Sequence, residues 1–151
     1  MRPYVLKFHP CHLKAISGEI TEPFLRPFLE GNMDAVGKAL AEGGFAVTGI
    51  CEEGIIGCGG VVEIWQGTGK AWAIFGELIK FYPKFVTQMS LTVIRHAMQS
   101  KDLKRVETAV AGNIPQNLKW AHLLGFREEG VLRKYYNGQN FRMVAIVDES
   151  D

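Results

Sequence analysis

The spacing of apolar and polar positions changes character along the chain. Tyr4 to Phe8 read as a short strand, and from Pro10 to about Gly43 a helical spacing is interrupted by Pro23, Pro27, Gly31 and Gly37. That stretch predicts several short helices. From Phe45 the pattern becomes β-rich in three runs, FAVTGICEEG, IIGCGGVVEIWQGTG and KAWAIFG. Glu-Glu-Gly and Gln-Gly-Thr-Gly separate them, which predicts consecutive antiparallel strands joined by short hairpins. A helix then opens near Tyr82-Pro83 and continues to about Ser100, with Val86, Met89, Val93, Ala97 and Met98 on one face. That spacing marks a core face rather than a site. Leu103 to Val110 read as a buried strand, and a further helix follows it. Asn113 is a candidate cap for that helix, with Gln116 three residues on as in a capping box, Pro115 in the first turn and Gly125 as a left-handed stop. The chain closes with two strands around Asn137-Gly138, the strongest hairpin signal present.

This order predicts an α/β (α+β) fold with a mixed, mostly antiparallel central sheet flanked by helices. The strand after Leu103 cannot meet the strand ending near Gly76 through a tight turn, because a long helix intervenes. A parallel pair joined by a crossover is the geometry that fits. Two neighbouring parallel strands inside an antiparallel sheet can splay at their ends and leave a slot.

Length and composition narrow the classes of function. At 151 residues, 47% hydrophobic and 22% charged, the chain suits a single soluble domain spanning 1–151. No apolar run approaches the roughly 20 residues that cross a bilayer, and the N-terminus lacks a secretory pattern, so the expected compartment is the cytoplasm and no membrane is expected. A net charge of +1 is too weak to argue for nucleic acid, whose phosphates call for a basic face. Cys11, Cys51 and Cys58 have no paired spacing and read as free thiols in a reducing compartment. His9-Pro-Cys-His12 lacks a second ligand cluster, so no metal is expected. Gly57-Cys-Gly59-Gly60 reads as a close strand crossing or bulge, because no helix follows it as a phosphate loop requires.

The element order, GIIGCGGV in the third strand, Asn113, Leu124-Gly125-Phe126 and REEGVLRKYYNGQNFRMVAIV together resemble the GNAT superfamily of acetyl-CoA-dependent N-acetyltransferases over roughly Phe45 to Val147. Within it, YPKF and NLKWAHLLGF resemble divergent phage-encoded GNAT-like proteins, for which host cytoplasm or virion would be the location. The resemblance implies acetyl-CoA as cosubstrate and an amine-bearing small molecule or protein as acceptor; homodimers are common in such proteins. It also implies that the cofactor arm lies between the splayed strands against Ile74, Phe75 and Gly76, with its pyrophosphate at the following helix start, near Lys84, Val86, Thr87 and Gln88. Asn113 would touch the arm, and Asn117 and Trp120 would flank the thiol end.

One departure stands out. The family's glycine-containing phosphate loop is replaced by Glu77-Leu-Ile-Lys-Phe-Tyr-Pro-Lys-Phe-Val-Thr-Gln, with no glycine after Gly76. Lys80 and Lys84 offer charge there, and Thr87 and Gln88 offer donors. Direct attack of an amine on a thioester needs an oxyanion donor, a base and an acid. A backbone N–H near Phe75 or Gly76 is the expected donor. Glu77 is the candidate base, beside the reading of a solvated, helix-flanking carboxylate. Trp120 stands where the family often has a Tyr acid, so Tyr135 or Tyr136 is the substitute, with cross-strand packing as the other reading. Strand alternation lets at most one of them face the slot. The competing functional reading is a catalytically degenerate GNAT-like phage structural or interaction protein.

Overall fold

The structure, a computed structural model, describes residues 2–16, 20, 29 and 31–150. It contains seven strands, β1 (Tyr4–Lys7), β2 (Gly44–Cys51), β3 (Gly54–Trp65), β4 (Thr68–Phe75), β5 (Arg105–Ala111), β6 (Arg127–Tyr136) and β7 (Gln139–Val147). Its helices are α1 (Pro10–Ile16), α2 (Met33–Glu42), α3 (Pro83–Ser100) and α4 (Pro115–Leu123), and a 3₁₀ turn, Glu77–Phe81, leads into α3. The strands form one sheet in the order β1-β2-β3-β4-β5-β7-β6. Every neighbouring pair is antiparallel except β4–β5, which is parallel. This is the predicted mixed sheet, with α3 as the crossover. The helices expected between Pro10 and Gly43 are met by α1 and α2, while residues 17–19, 21–28 and 30 lie outside the described residues.

Local chemistry explains where the elements begin and end. α3 opens at Pro83, which has no N–H to leave unpaired in a first turn. β5 opens at Arg105 rather than Leu103: the N–H groups of Lys104 and Arg105 both reach Gly67 O, at 2.8 and 3.1 Å, and Leu103 is buried as a core plug. The expected capping box does not form on α4. Ile114 is the N-cap without a side-chain hydrogen bond, because a turn from Ala111 O to Ile114 N–H (3.3 Å) leaves Asn113 exposed and one position too early. The helix ends as expected. Gly125 has φ +101°, its N–H bonds His122 O at 3.0 Å, and Phe126 N–H bonds Ala121 O at 3.0 Å, the Schellman pattern. Asn137 and Gly138 both have positive φ, 51° and 73°, as a type I′ hairpin turn demands.

Strand alternation sorts the helices to opposite faces of the sheet. Trp72 and Ile74 of β4 pack with Phe8, Leu13, Ile16 and Leu40, the side of α1 and α2. Ala71 packs with Ile94, Ala97, Ala121 and Phe126, and Phe75 with Val86 and Trp120, the side of α3 and α4. Val106, Val144 and Leu103 anchor this second core at 0%, 0% and 2% exposure. Each such side chain contributes about 1.5–3 kcal/mol by leaving water.

Candidate functional site

The parallel pair is held at one end only. β4 and β5 pair at Thr68↔Arg105, Gly69↔Val106 and Lys70↔Glu107, and no pairing follows. Beyond that point each strand keeps its other neighbour, β3 and β7 respectively. Gly76 N–H bonds Ile56 O at 3.1 Å, so even-numbered positions at this end of β4 turn their backbone groups to β3. By alternation Ala73 and Phe75 turn theirs to the gap. Gly112 N–H bonds Asn140 O at 3.1 Å, so by the same rule the N–H groups of Ala109 and Ala111 face the gap from β5. Two lips of backbone donors therefore line an opening in the middle of the sheet.

A cavity of about 840 Å³ occupies this opening and reaches both faces. Ala71, Ala73, Phe75, Ala109, Val110 and Ala111 form its lips. Their side chains are mostly small, which is why the strands can part without the gap refilling. On the α3 side it is walled by Phe85, Val86, Met89 and Ser90, and at one end by Asn117 and Trp120. Gly57 and Gly59 form part of the β3 floor. A Cβ at Gly57 would lie 2.5 Å from the Phe75 ring, and one at Gly59 would lie 3.2 Å from Trp72 O. The glycines expected to mark a close strand approach do so, and they also clear the cavity wall.

Trp120 is fixed by three residues. Its indole N–H donates to Thr87 Oγ1 at 3.2 Å, Thr87 Oγ1 donates to Pro83 O at 2.9 Å, and the indole meets the Phe75 ring edge-on with centroids 5.7 Å apart. The only hydroxyl proton of Thr87 is thus directed to Pro83 O. At the start of α3 the first N–H to reach a carbonyl is that of Val86, bonding Tyr82 O at 3.0 Å. Among the described residues the N–H groups of Lys84 and Phe85 have no backbone partner, and a helix start of this kind favours an anion. A second depression of about 330 Å³, lined by Pro83, Lys84, Thr87, Gln88 and Leu123, lies alongside. In the 3₁₀ turn, Ile79 N–H bonds Gly76 O (3.3 Å) and Tyr82 N–H bonds Ile79 O (3.0 Å), so those donors are turned inward.

The candidate residues divide clearly. Ile74, Phe75, Val86, Asn117, Trp120, Tyr135 and Tyr136 line the large cavity, and Lys84, Thr87 and Gln88 line the depression at the helix start. Gly76 has its N–H committed to Ile56 O, which leaves Phe75 as the open backbone donor of the two. Glu77 is exposed at the head of the 3₁₀ turn, and neither it nor Asn113 lines the cavity. Both Tyr135 and Tyr136 line it, contrary to simple alternation, because Lys134 takes φ 50° and the β6–β7 register shifts between Leu132 and Tyr136. Sequence reasoning did not single out Phe85, Ser90 or Phe141. Phe141 is brought in by pairing with Ala111, a register no local pattern encodes.

A polar chain runs from exposed His9 through half-buried His12 to buried Thr48 and Cys58, the last of which lines the cavity. His9 N–H donates to His12 Nδ1 (3.1 Å), which lies 2.8 Å from Thr48 Oγ1, itself 3.5 Å from Cys58 Sγ. Burial pushes the Cys58 thiol up to about 11, opposed by Thr48, so it stays protonated at neutral pH. Burial, reinforced by His9, holds His12 below its ordinary value. No group of three or more metal-ligating side chains occurs among the described residues.

No family model matches the chain, and no curated protein matches it. Solved structures do. A chimera of the spermidine N-acetyltransferase SpeG from Vibrio cholerae and hSSAT superposes with a TM-score of 0.78 at 14% identity, covering 98% of this chain and 96% of that one. An acetyltransferase of the GNAT family from Bacillus anthracis gives 0.74 at 15% identity, covering 99% and 97%. At such identities the likeness speaks to architecture, and the parallel pair parted in the middle of the sheet agrees with it: this chain has the GNAT fold.

Proposed function

We propose that this protein is an N-acetyltransferase of the GNAT superfamily, moving an acetyl group from acetyl-CoA to a primary amine of a small molecule or protein. The observation that carries this reading is the gap beyond the third β4–β5 rung, with the backbone N–H groups of Ala73, Phe75, Ala109 and Ala111 facing it along its lips. An extended arm bearing amide groups can bond there as an added strand would. The N–H groups of Lys84 and Phe85, without a backbone partner among the described residues and with the Lys84 and Gln88 side chains beside them, suit an anionic end of the same molecule. Bound there, acetyl-CoA would supply the activated acyl group.

The chain's own residues then have defined tasks. Phe75 N–H is the donor placed for a developing oxyanion, since Gly76 N–H is already bonded. Trp120, held by Thr87, walls the thiol end with Asn117 but has no proton to give at neutral pH. Tyr135 and Tyr136, both at the cavity, are the candidates for donating one. Glu77 serves as base only through water, because its carboxylate is outside the cavity lining.

A second reading has one observation in its favour. The Ile79 and Tyr82 N–H groups are bonded within the segment after Gly76, where the family's phosphate loop would lie, which would suit a GNAT-like fold kept for interaction, including one of phage origin. Calorimetric titration with acetyl-CoA separates the two. Binding with a Kd below about 1 mM, together with thiol release in the presence of an amine panel, supports the enzyme. Absence of binding at that concentration rejects it in favour of the second reading.

A further inference from the structure

The wall of the cavity on the α1 and α2 side differs from the rest. Trp72 and Ile74 of β4, Val36 and Leu40 of α2, and Tyr135 and Phe141 from the terminal hairpin all line it. Tyr135 and Phe141 have ring centroids 5.3 Å apart. Among the described lining residues Lys70 is the one charged side chain, and it is cationic. A chain carrying several ammonium groups would meet apolar surface and a like charge here, which disfavours it on both counts. An amine attached to a flat apolar body would meet aromatic faces and aliphatic carbons.

Trp72 supplies an independent reason. Its indole packs edge-on to Phe8 with centroids 5.3 Å apart, yet its Nε1–H is buried with no hydrogen-bond partner among the described residues. A buried unpaired donor costs stability, and a Phe ring would pack against Phe8 without that cost. Packing alone therefore does not account for indole at this position. A broad ring bordering a ligand cavity does, because Trp offers the largest face for stacking and for attraction of a single cation.

We infer that the acceptor of this protein is a primary amine borne on an aromatic or similarly flat apolar group, with Trp72 as its specificity-determining residue. This deepens the proposed acetyl transfer and rests on that reading for the chemical step, but the recognition of the amine can be measured without it. The spermidine named for one structural neighbour is then the wrong acceptor for this chain.

The experiment compares tryptamine and phenethylamine with spermidine in two formats. Calorimetric binding of each amine to the protein alone needs no acyl donor, so it tests the inference even if acetyl-CoA does not bind. The expected result is a preference for either arylalkylamine over spermidine of about tenfold or more. Where acetyl-CoA is turned over, kcat/KM follows the same order. Trp72→Ala raises the KM for the arylalkylamine by a similar factor while the KM for acetyl-CoA is unaffected. Trp72→Phe melts at the same temperature or higher and retains part of the preference. Equal or tighter binding of spermidine overturns the inference, as does an unchanged amine KM in Trp72→Ala. So does acetyl-CoA binding with no acetylation of any arylalkylamine, which leaves the donor half of the proposed function standing.

Discussion

Single residues at the cavity edge make distinct, measurable demands. Thr87→Val removes the acceptor of the Trp120 indole and leaves a partly buried N–H unpaired. It should destabilise the fold by about 1–3 kcal/mol, read from urea unfolding, and free Trp120 to change its fluorescence. His12 is held below its ordinary value of 6.5, so the unfolded chain binds more protons than the folded one as pH falls through that value. Its contribution to stability is present above pH 6.5 and is lost as pH drops toward the folded pKa. The melting temperature of the wild type should therefore fall more steeply between neutral and mildly acidic pH than that of His12→Gln. Thiol labelling checks the cysteines: exposed Cys11 should react at once, whereas Cys58, buried and pushed up to about 11, should react only on unfolding. At this scale the sequence named Phe75, Thr87 and Trp120 only as separate candidates; their contact around the Trp120 indole is a finding of the structure. It could not show that the Thr87 proton is directed to Pro83 O, or that Asn113 does not line the cavity, since both depend on where a helix starts to within one residue.

The elements were more legible than the side chains. Turn chemistry between alternating runs located β2, β3 and β4, and Pro83 and Gly125 marked the ends that backbone rules assign them. Gly125→Ala tests the second of these. At φ +101° an alanine is strained, and the loss should be about 1–2 kcal/mol in thermal or urea unfolding, with the sheet otherwise intact. The 3₁₀ turn at Glu77–Phe81 was not legible, because a short i→i+3 segment has no periodicity of its own; the sequence showed only that no glycine follows Gly76 in this segment. Nor was the twist at Lys134, whose positive φ brings two adjacent tyrosines to one cavity against the alternation of an ideal strand.

For the molecule as a whole, strand order follows from connection length. A long helix between β4 and β5 requires a crossover, and the meander before it and the hairpin after it then close the sheet on either side. The extent of parting was beyond the sequence, because it depends on how two packed halves lean rather than on any one residue. Filling the gap is the direct test of its role: Ala73→Leu should lower acetyl-CoA affinity by about tenfold or more by calorimetry, with far-UV dichroism unchanged.

The three rungs at Thr68, Gly69 and Lys70 also make a mechanical statement. The sheet is two plates, β1 to β4 and β5 to β7, sharing a short hinge, and a molecule that bonds both lips is a suture across the free ends. Amide hydrogens of Ala73, Phe75, Ala109 and Ala111 should exchange readily in the empty protein and slow together when acetyl-CoA is added. Those of Val61 and Val144, inside continuous ladders, should scarcely change. Ligand binding would then register as a joint stiffening of two strand edges that part company beyond their third rung.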